Sequence, residues 1–217
     1  MLKAENIHKS FGEVEVLKGV DLQINESEIV SIVGSSGAGK TTLLQVLGTL
    51  INSDQGEVYY NETKLSSLKS NALADFRNQN IGFVFQFHHL LAEFTAIENV
   101  CMPALIKGDS KEQAEEKAKK LLERLKLAHR SAHKPAELSG GEQQRVATAR
   151  ALINQPKVIF ADEPSGNLDS KNAGELHQLF FDLRDEFKQT FVIVTHNQEL
   201  SKKCDRVYEM KDGKIIP

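Results

Sequence analysis

The sequence predicts an α/β protein whose core sheet is mostly parallel and into which a helical subdomain is inserted. Three observations carry that expectation. Apolar runs that end in glycine or polar residues, "EIVSIVG" at 28–34, "KVIFADE" at 157–163 and "QTFVIVTH" at 189–196, read as buried strands. A helical pattern over about 170–187 separates the last two, and such alternation implies parallel pairing through crossovers. From about Thr95 to Leu127 the pattern turns helical, and about 87–135 is expected to be the inserted subdomain.

Taken in chain order, "LKAENIHKSF" (2–11) and "VEVLKGVDLQI" (14–24) alternate apolar and polar residues as half-buried strands do. After the run ending at Gly34, residues 40–50 carry Leu43, Leu44 and Leu47 at helical spacing. "IGFVF" at 81–85 is a further strand candidate. "TAIE" (95–98) and "SKEQ" (110–113) have the spacing of capping boxes and mark two helix starts. Ala114, Ala118, Leu121, Leu122 and Leu125 then form one apolar stripe opposite a charged, solvated face. Near the C-terminus, Asp212-Gly213 inside "RVYEMKDGKII" predicts a hairpin. The expected organisation is one domain over 1–217. Its core comprises 1–86 and 136–217, and a helical subdomain at 87–135 leads into a further helix.

Composition bounds the function. The chain has 217 residues, 40% hydrophobic and 26% charged, within the range of soluble globular proteins. A formal net charge of −3 offers no electrostatic case for nucleic acid as a partner. Cys101 and Cys204 form no motif, and so few cysteines fit a reducing compartment. The N-terminus shows no signal-peptide pattern. The apolar stretches "VCMPALI" and "FVIV" fall far short of the roughly 20 residues a membrane helix needs. If the protein serves a membrane process, another chain must do the crossing.

"GSSGAGKT", Gly34 to Thr41, carries the clearest chemistry. It matches the phosphate-binding loop pattern and stands between an apolar strand and a helix, as that loop requires. Gly34, Ser35, Ser36, Gly37, Ala38 and Gly39 present backbone amides toward phosphate oxygens, and the helix start at Lys40, Thr41 and Thr42 adds partial positive charge. Lys40 is suited to the β and γ phosphates, and the Thr41 hydroxyl to Mg²⁺. The loop alone leaves kinases, GTPases and ATPases open. Asp162 and Glu163 end the strand "VIFADE", where open sheets bind ligands. Asp162 suits Mg²⁺ and Glu163 suits polarising an attacking water; outside this context, a helix cap or an ion pair would explain the pair equally well. A second anion cradle follows about a hundred residues after the first. In "ELSGGEQQR" (137–145), amides at Ser139, Gly140 and Gly141 open a helix beside Glu142. Those three amides are expected to be free for phosphate, with an ordinary N-cap role for Ser139 standing beside that reading.

"LSGGEQQR", "GSSGAGKT" and "VIFADE" together resemble the ABC ATPase family over essentially the whole chain. The resemblance implies an ABC-type P-loop fold with an antiparallel β subdomain at the N-terminus, ATP and Mg²⁺ as ligands, and a head-to-tail homodimer. In such a dimer the loop of one copy and Ser139, Gly140, Gly141 and Glu142 of the other enclose each ATP. It also implies that Gln86 touches Mg²⁺ or water, that "SGNLD" (165–169) crosses the dimer interface, and that His196 lies near the γ-phosphate. Phe11 stands where the family stacks an aromatic on adenine; a core role is the competing reading. "FQFHHLLAEFTAIENVCMPALI" (85–106) and "HRSAHKPAELSGGE" (129–142) resemble the ATP-binding subunits of bacterial lipoprotein-releasing transporters. That resemblance implies two integral membrane subunits as partners and a place on the cytoplasmic face of the inner membrane. Macrolide-efflux ATPases and the cell-division ATPase share much of the pattern, and a soluble non-transport ABC ATPase is the alternative from another class. Of Phe85, Phe87, Leu90, Leu91 and Phe94, most are expected to pack the helical subdomain core; the alternative for some is a groove that takes a short helix of a membrane partner. His88-His89 lacks a third metal ligand in the sequence and is expected to be a polar groove edge.

Overall fold

The computed structural model describes residues 1–216. In chain order it has β1 (Leu2–Phe11), β2 (Val14–Ile24), β3 (Ile29–Val33), α1 (Lys40–Leu47), β4 (Gln55–Tyr60), β5 (Thr63–Lys64) and α2 (Ser70–Asn80). Next come β6 (Ile81–Phe85), α3 (Ala96–Lys107), α4 (Lys111–Arg124), α5 (Gly140–Leu152) and β7 (Val158–Asp162). The chain closes with α6 (Ser170–Phe187), β8 (Thr190–Val194), α7 (Gln198–Lys203), β9 (Arg206–Lys211) and β10 (Lys214–Ile216). It divides into two compact units, one of Met1–Arg77 with Leu183–Pro217 and the other of Asn78–Asp182.

The first unit holds two kinds of sheet. β2, β1, β4 and β5 form an antiparallel sheet in that order. Its inward positions Leu2, Ala4, Ile7, Leu17, Val20, Leu22 and Ile24 are buried, as the alternating pattern requires. β3 pairs in parallel with β8 and with β9, and Ile32 stands opposite both Val194 and Tyr208. Ile29, Val30 and Ile32 of β3 and all five residues of β8 are buried, which explains why these strands read as continuous apolar runs. β9 and β10 form the expected hairpin, closing Lys211 on Lys214 around Asp212-Gly213. Both turn residues have positive φ, 48° and 82°, the geometry that Asp-Gly favours.

The second unit is the parallel pair β6–β7 with α3, α4 and α5. Val100, Ala104, Ala118, Leu122, Val146 and Ala149 belong to one buried cluster, so the stripe read on α4 does face a core. Both expected capping boxes are present, at Thr95 with Glu98 and at Ser110 with Gln113. The crowd of apolar residues after Gln86 behaves differently from expectation. Leu90 packs against the cluster, but Phe87 is 68% exposed, and Leu91 and Phe94 are exposed too. The physical reason is backbone: residues 86–95 form neither helix nor strand, and His88 and His89 both have positive φ, so no regular face turns these side chains inward.

Four elements escaped the sequence patterns: β4, β5, α2 and α7. β4 buries only Val58 and Tyr60, and α2 buries no residue, so neither displays a strong apolar period.

Candidate nucleotide site

In the first unit, β3 delivers the chain into the loop 34–39, and α1 begins directly after it, capped by Gly39. Ser35, Ser36 and Gly37 are exposed at the loop's crest. Lys40 is buried, and its ammonium donates to the Gly34 and Ser35 carbonyls at 2.9 Å each. A lysine folded onto its own loop carbonyls marks the place where a polyanion's charge would be met. Thr41 and Thr42 follow in the first turn of α1, with Thr41 exposed. His196 lies two residues beyond β8, and the pairing of Ile32 with Val194 sets the ends of β3 and β8 side by side. The loop and His196 therefore leave the same edge of the parallel strands, with His196 exposed. Phe11 ends β1 with 52% of its surface exposed and Lys9 Nζ 5.7 Å from its ring, which removes the core reading.

In the second unit, the register of β6 with β7 sets Phe85 opposite Asp162. Gln86 and Glu163 are the next residues on each strand, so the glutamine and the carboxylate pair gather at the C-terminal ends of two parallel strands. Glu163 has φ 45°, a conformation rare for a non-glycine residue and often found at functional sites. The hydroxyl of Thr41, the carboxylate of Asp162 and the amide oxygen of Gln86 are hard oxygen donors, the chemistry that Mg²⁺ selects.

α5 starts at Ser139 with a complete capping box. Ser139 N–H donates to Glu142 Oε2 at 2.8 Å, and Glu142 N–H donates to Ser139 Oγ at 3.3 Å. The expectation of three free amides is thereby corrected: the Ser139 amide is held by a carboxylate of its own helix. The Gly140 and Gly141 amides stand in the first turn, where no intrahelical carbonyl reaches them. Arg130 Nε donates to Glu142 Oε1 at 2.8 Å. The Ser139 backbone N–H, with Arg130 beside it, holds the Glu142 carboxyl below its ordinary range. α5 also braces the loop after Gln86. Gln144 Nε2 donates to Phe85 O at 3.2 Å, and Arg150 donates to the His88 and His89 carbonyls at 2.8 and 2.7 Å. Burial keeps the His88 imidazole below its usual pKa, opposed by a hydrogen bond with the Gly140 backbone. Among the described residues no cluster of three or more His, Cys, Asp or Glu side chains is arranged to hold a metal.

Sequence reasoning missed two residues that shape these surroundings. Arg130 neutralises Glu142, and buried Asn99 donates to the Leu91, Phe94 and Thr95 carbonyls while accepting from Leu91 N–H. Asn99 occupies a helical position inside an apolar pattern, a usable sign of a buried polar organiser.

A family model described as "ABC transporter" matches residues 17–166, a span that includes the loop at 34–41, Gln86, the helix start at 139 and the carboxylates at 162–163. The chain belongs to the ABC transporter ATP-binding family. It is an ABC ATPase, and ATP is its nucleotide. This cassette is 61% identical over 215 residues to the lipoprotein-releasing system ATP-binding protein LolD of Bacteroides thetaiotaomicron, covering 99% of each chain. It is 57% identical over 216 residues to the protein of the same name from Porphyromonas gingivalis, covering 100% of this chain and 99% of the relative. Its fold matches the dimeric structure of MJ0796, a bacterial ABC transporter cassette, with TM-score 0.91 and 41% identity over 100% of this chain and 97% of that one. The dimeric post-hydrolysis state of MJ0796 bound to ADP and Pi matches with TM-score 0.90 at 40% identity, with the same coverage. The cassette thus has the ABC-type α/β fold, with an antiparallel β subdomain and helices inserted between its strands.

Proposed function

We propose that this ATPase powers the release of lipoproteins from a bacterial inner membrane toward the outer membrane. The observation that carries the reading is end-to-end identity of 61% with a lipoprotein-releasing ATP-binding protein, leaving almost no part of either chain unmatched. The partners are two integral membrane subunits, and the cassette sits beneath them on the cytoplasmic face. No helix among the described residues is long and apolar enough to cross a membrane, so in this reading the crossing belongs to those partners. The exposed Phe87, Leu91 and Phe94 support a role for the 86–95 loop in meeting them.

Two copies act head to tail. The loop at 34–41 and Lys40 of one copy hold the phosphates, with Phe11 against the adenine. The Gly140 and Gly141 amides and the Ser139 hydroxyl of the other close over the γ-phosphate. Glu142, already engaged with Ser139 and Arg130, acts by fixing the shape of that helix start. Thr41, Gln86 and Asp162 are the oxygen ligands assigned to Mg²⁺, which supplies charge neutralisation at the phosphates. Glu163 orients and polarises the attacking water, and His196 contacts the γ-phosphate. ATP holds the two copies together because each site is split between them, and hydrolysis lets them part. The fold match to a dimeric cassette supports this arrangement.

Affinity purification from native membranes, with identification of the co-purifying chains, tests the transport assignment. Two membrane subunits with large periplasmic domains and a bound lipoprotein are expected. A single-pass or septal partner would replace the reading with the cell-division one.

A further inference from the structure

Asn167 lies in the exposed loop between β7 and α6, and it makes two hydrogen bonds to Gln86, 81 residues away in sequence. Gln86 Nε2 donates to Asn167 Oδ1 at 2.9 Å, and Asn167 Nδ2 donates to the Gln86 backbone carbonyl at 3.3 Å. The pair fixes its own polarity. A backbone carbonyl only accepts, so the Asn167 amide must turn its NH₂ toward Gln86 O. Oδ1 then faces the glutamine side chain, and because that oxygen also only accepts, Gln86 must present its NH₂. One amide orientation follows for each residue, and Gln86 Oε1 is left as the atom available to a cation.

The surroundings hold the pair in place. β6–β7 pairing sets Phe85 opposite Asp162, which brings the two loops out side by side. Gly166 permits the approach, since a Cβ there would stand 2.8 Å from Gln86 Nε2. Gly166 N–H donates to Glu163 O at 3.0 Å, and beyond the loop Asp169 Oδ1 accepts from the Lys171 and Asn172 amides. The loop bearing Asn167 is therefore anchored at both ends.

We infer that Asn167 is a positioning residue for the reaction: it locks the Gln86 amide with Oε1 directed to Mg²⁺ and NH₂ directed away. This rests on the proposed assignment of Gln86 to the metal. An alanine, a leucine or a flipped amide at 167 would leave Gln86 free to rotate, offering a cation its NH₂ half the time. Partners of this kind behind a metal ligand typically change metal affinity by about 10- to 100-fold when removed.

The test uses the full chain with two readouts, neither of them turnover. The first is the NMR signal of the Gln86 side-chain amide without nucleotide. The second is the Mn²⁺ dissociation constant, by electron paramagnetic resonance, in the presence of a non-hydrolysable ATP analogue. Asn167→Leu is expected to shift the Gln86 amide signal and weaken Mn²⁺ about tenfold. Asn167→Asp keeps an acceptor for Nε2 and should hold that signal near its original position. In a Gln86→Ala background, Asn167→Leu should have no further effect on Mn²⁺, because it acts through Gln86. An unmoved Gln86 signal in Asn167→Leu, or an equal loss of affinity with and without Gln86, overturns the inference while leaving the metal assignment standing. Unchanged Mn²⁺ affinity in Gln86→Ala alone overturns the metal assignment, and the inference with it.

Discussion

Gly34→Ala and Gly37→Ala place the same methyl group in the same loop, and the structure predicts very different outcomes. At Gly34, φ is +151° and an added Cβ would lie 2.1 Å from the Met210 carbonyl oxygen. That atom is backbone in β9, which β10 pairs with Met210 opposite Ile215, and it cannot swing aside. Contacts under 3.0 Å essentially never occur for real Cβ atoms. The phosphate loop must yield by about 1 Å, a displacement that in a reacting site costs on the order of a hundredfold. Gly37 has φ +78° with nothing within 4 Å of its added Cβ, so it carries only the left-handed backbone cost of about 1–2 kcal/mol. Titration with a fluorescent ATP analogue, in a Glu163→Gln background to prevent turnover, reads both variants. Gly34→Ala should weaken nucleotide binding about a hundredfold, and Gly37→Ala about tenfold or less. Thermal unfolding should show the same order. Equal, mild effects at the two positions would refute the argument, since the Met210 contact would then not constrain the loop.

Glu163→Gln should retain ATP, lose most turnover and accumulate an ATP-bound dimer on gel filtration; normal turnover would remove Glu163 as the carboxylate that acts on water. Ser139→Arg should block ATP-driven dimerisation with mononucleotide binding largely intact, and surviving dimers would end the split-site model. Asn99→Ala strips one donor and three acceptors of their partner and should cost about 2–4 kcal/mol, read as a fall in Tm of about 5–10 °C with faster proteolysis at 91–95. The Glu142 carboxyl is depressed in the fold, so its stabilisation is present above the unfolded pKa of about 4.3 and is lost as pH falls through the lower folded value. Glu142→Gln should therefore lower Tm at pH 7, with the two curves converging below about pH 4. Burial pushes the Cys101 thiol up to about 11, so iodoacetamide at neutral pH should modify it only after unfolding.

Much of the fold was legible because its signals are local. The capping boxes at Thr95 and Ser110 were read three residues apart and stand as read. The Asp212-Gly213 turn needed only two residues, and the buried strands β3, β7 and β8 announced themselves as apolar runs. β4, β5, α2 and α7 were not legible, because an element that buries two residues or none leaves almost no period to detect. Phe87, Leu91 and Phe94 were misread for a related reason: hydrophobicity predicts burial only where a regular backbone supplies an inward face, and 86–95 has none. Phe11 was undecided until its exposure was known.

The sequence by itself determined that the chain carries a phosphate loop on a strand–helix junction, a carboxylate pair at a strand end and a second anion-binding helix start. Each is a contiguous motif whose chemistry needs only its own residues and their spacing. Only the tertiary structure decided what surrounds them: that Arg130 and Arg150 brace the helix start and the loop after Gln86, and that Asn167 grips Gln86 across 81 residues. Those contacts depend on strand register and on where loops leave the sheet. Both follow from packing between residues far apart in the chain, which no spacing rule within a motif encodes.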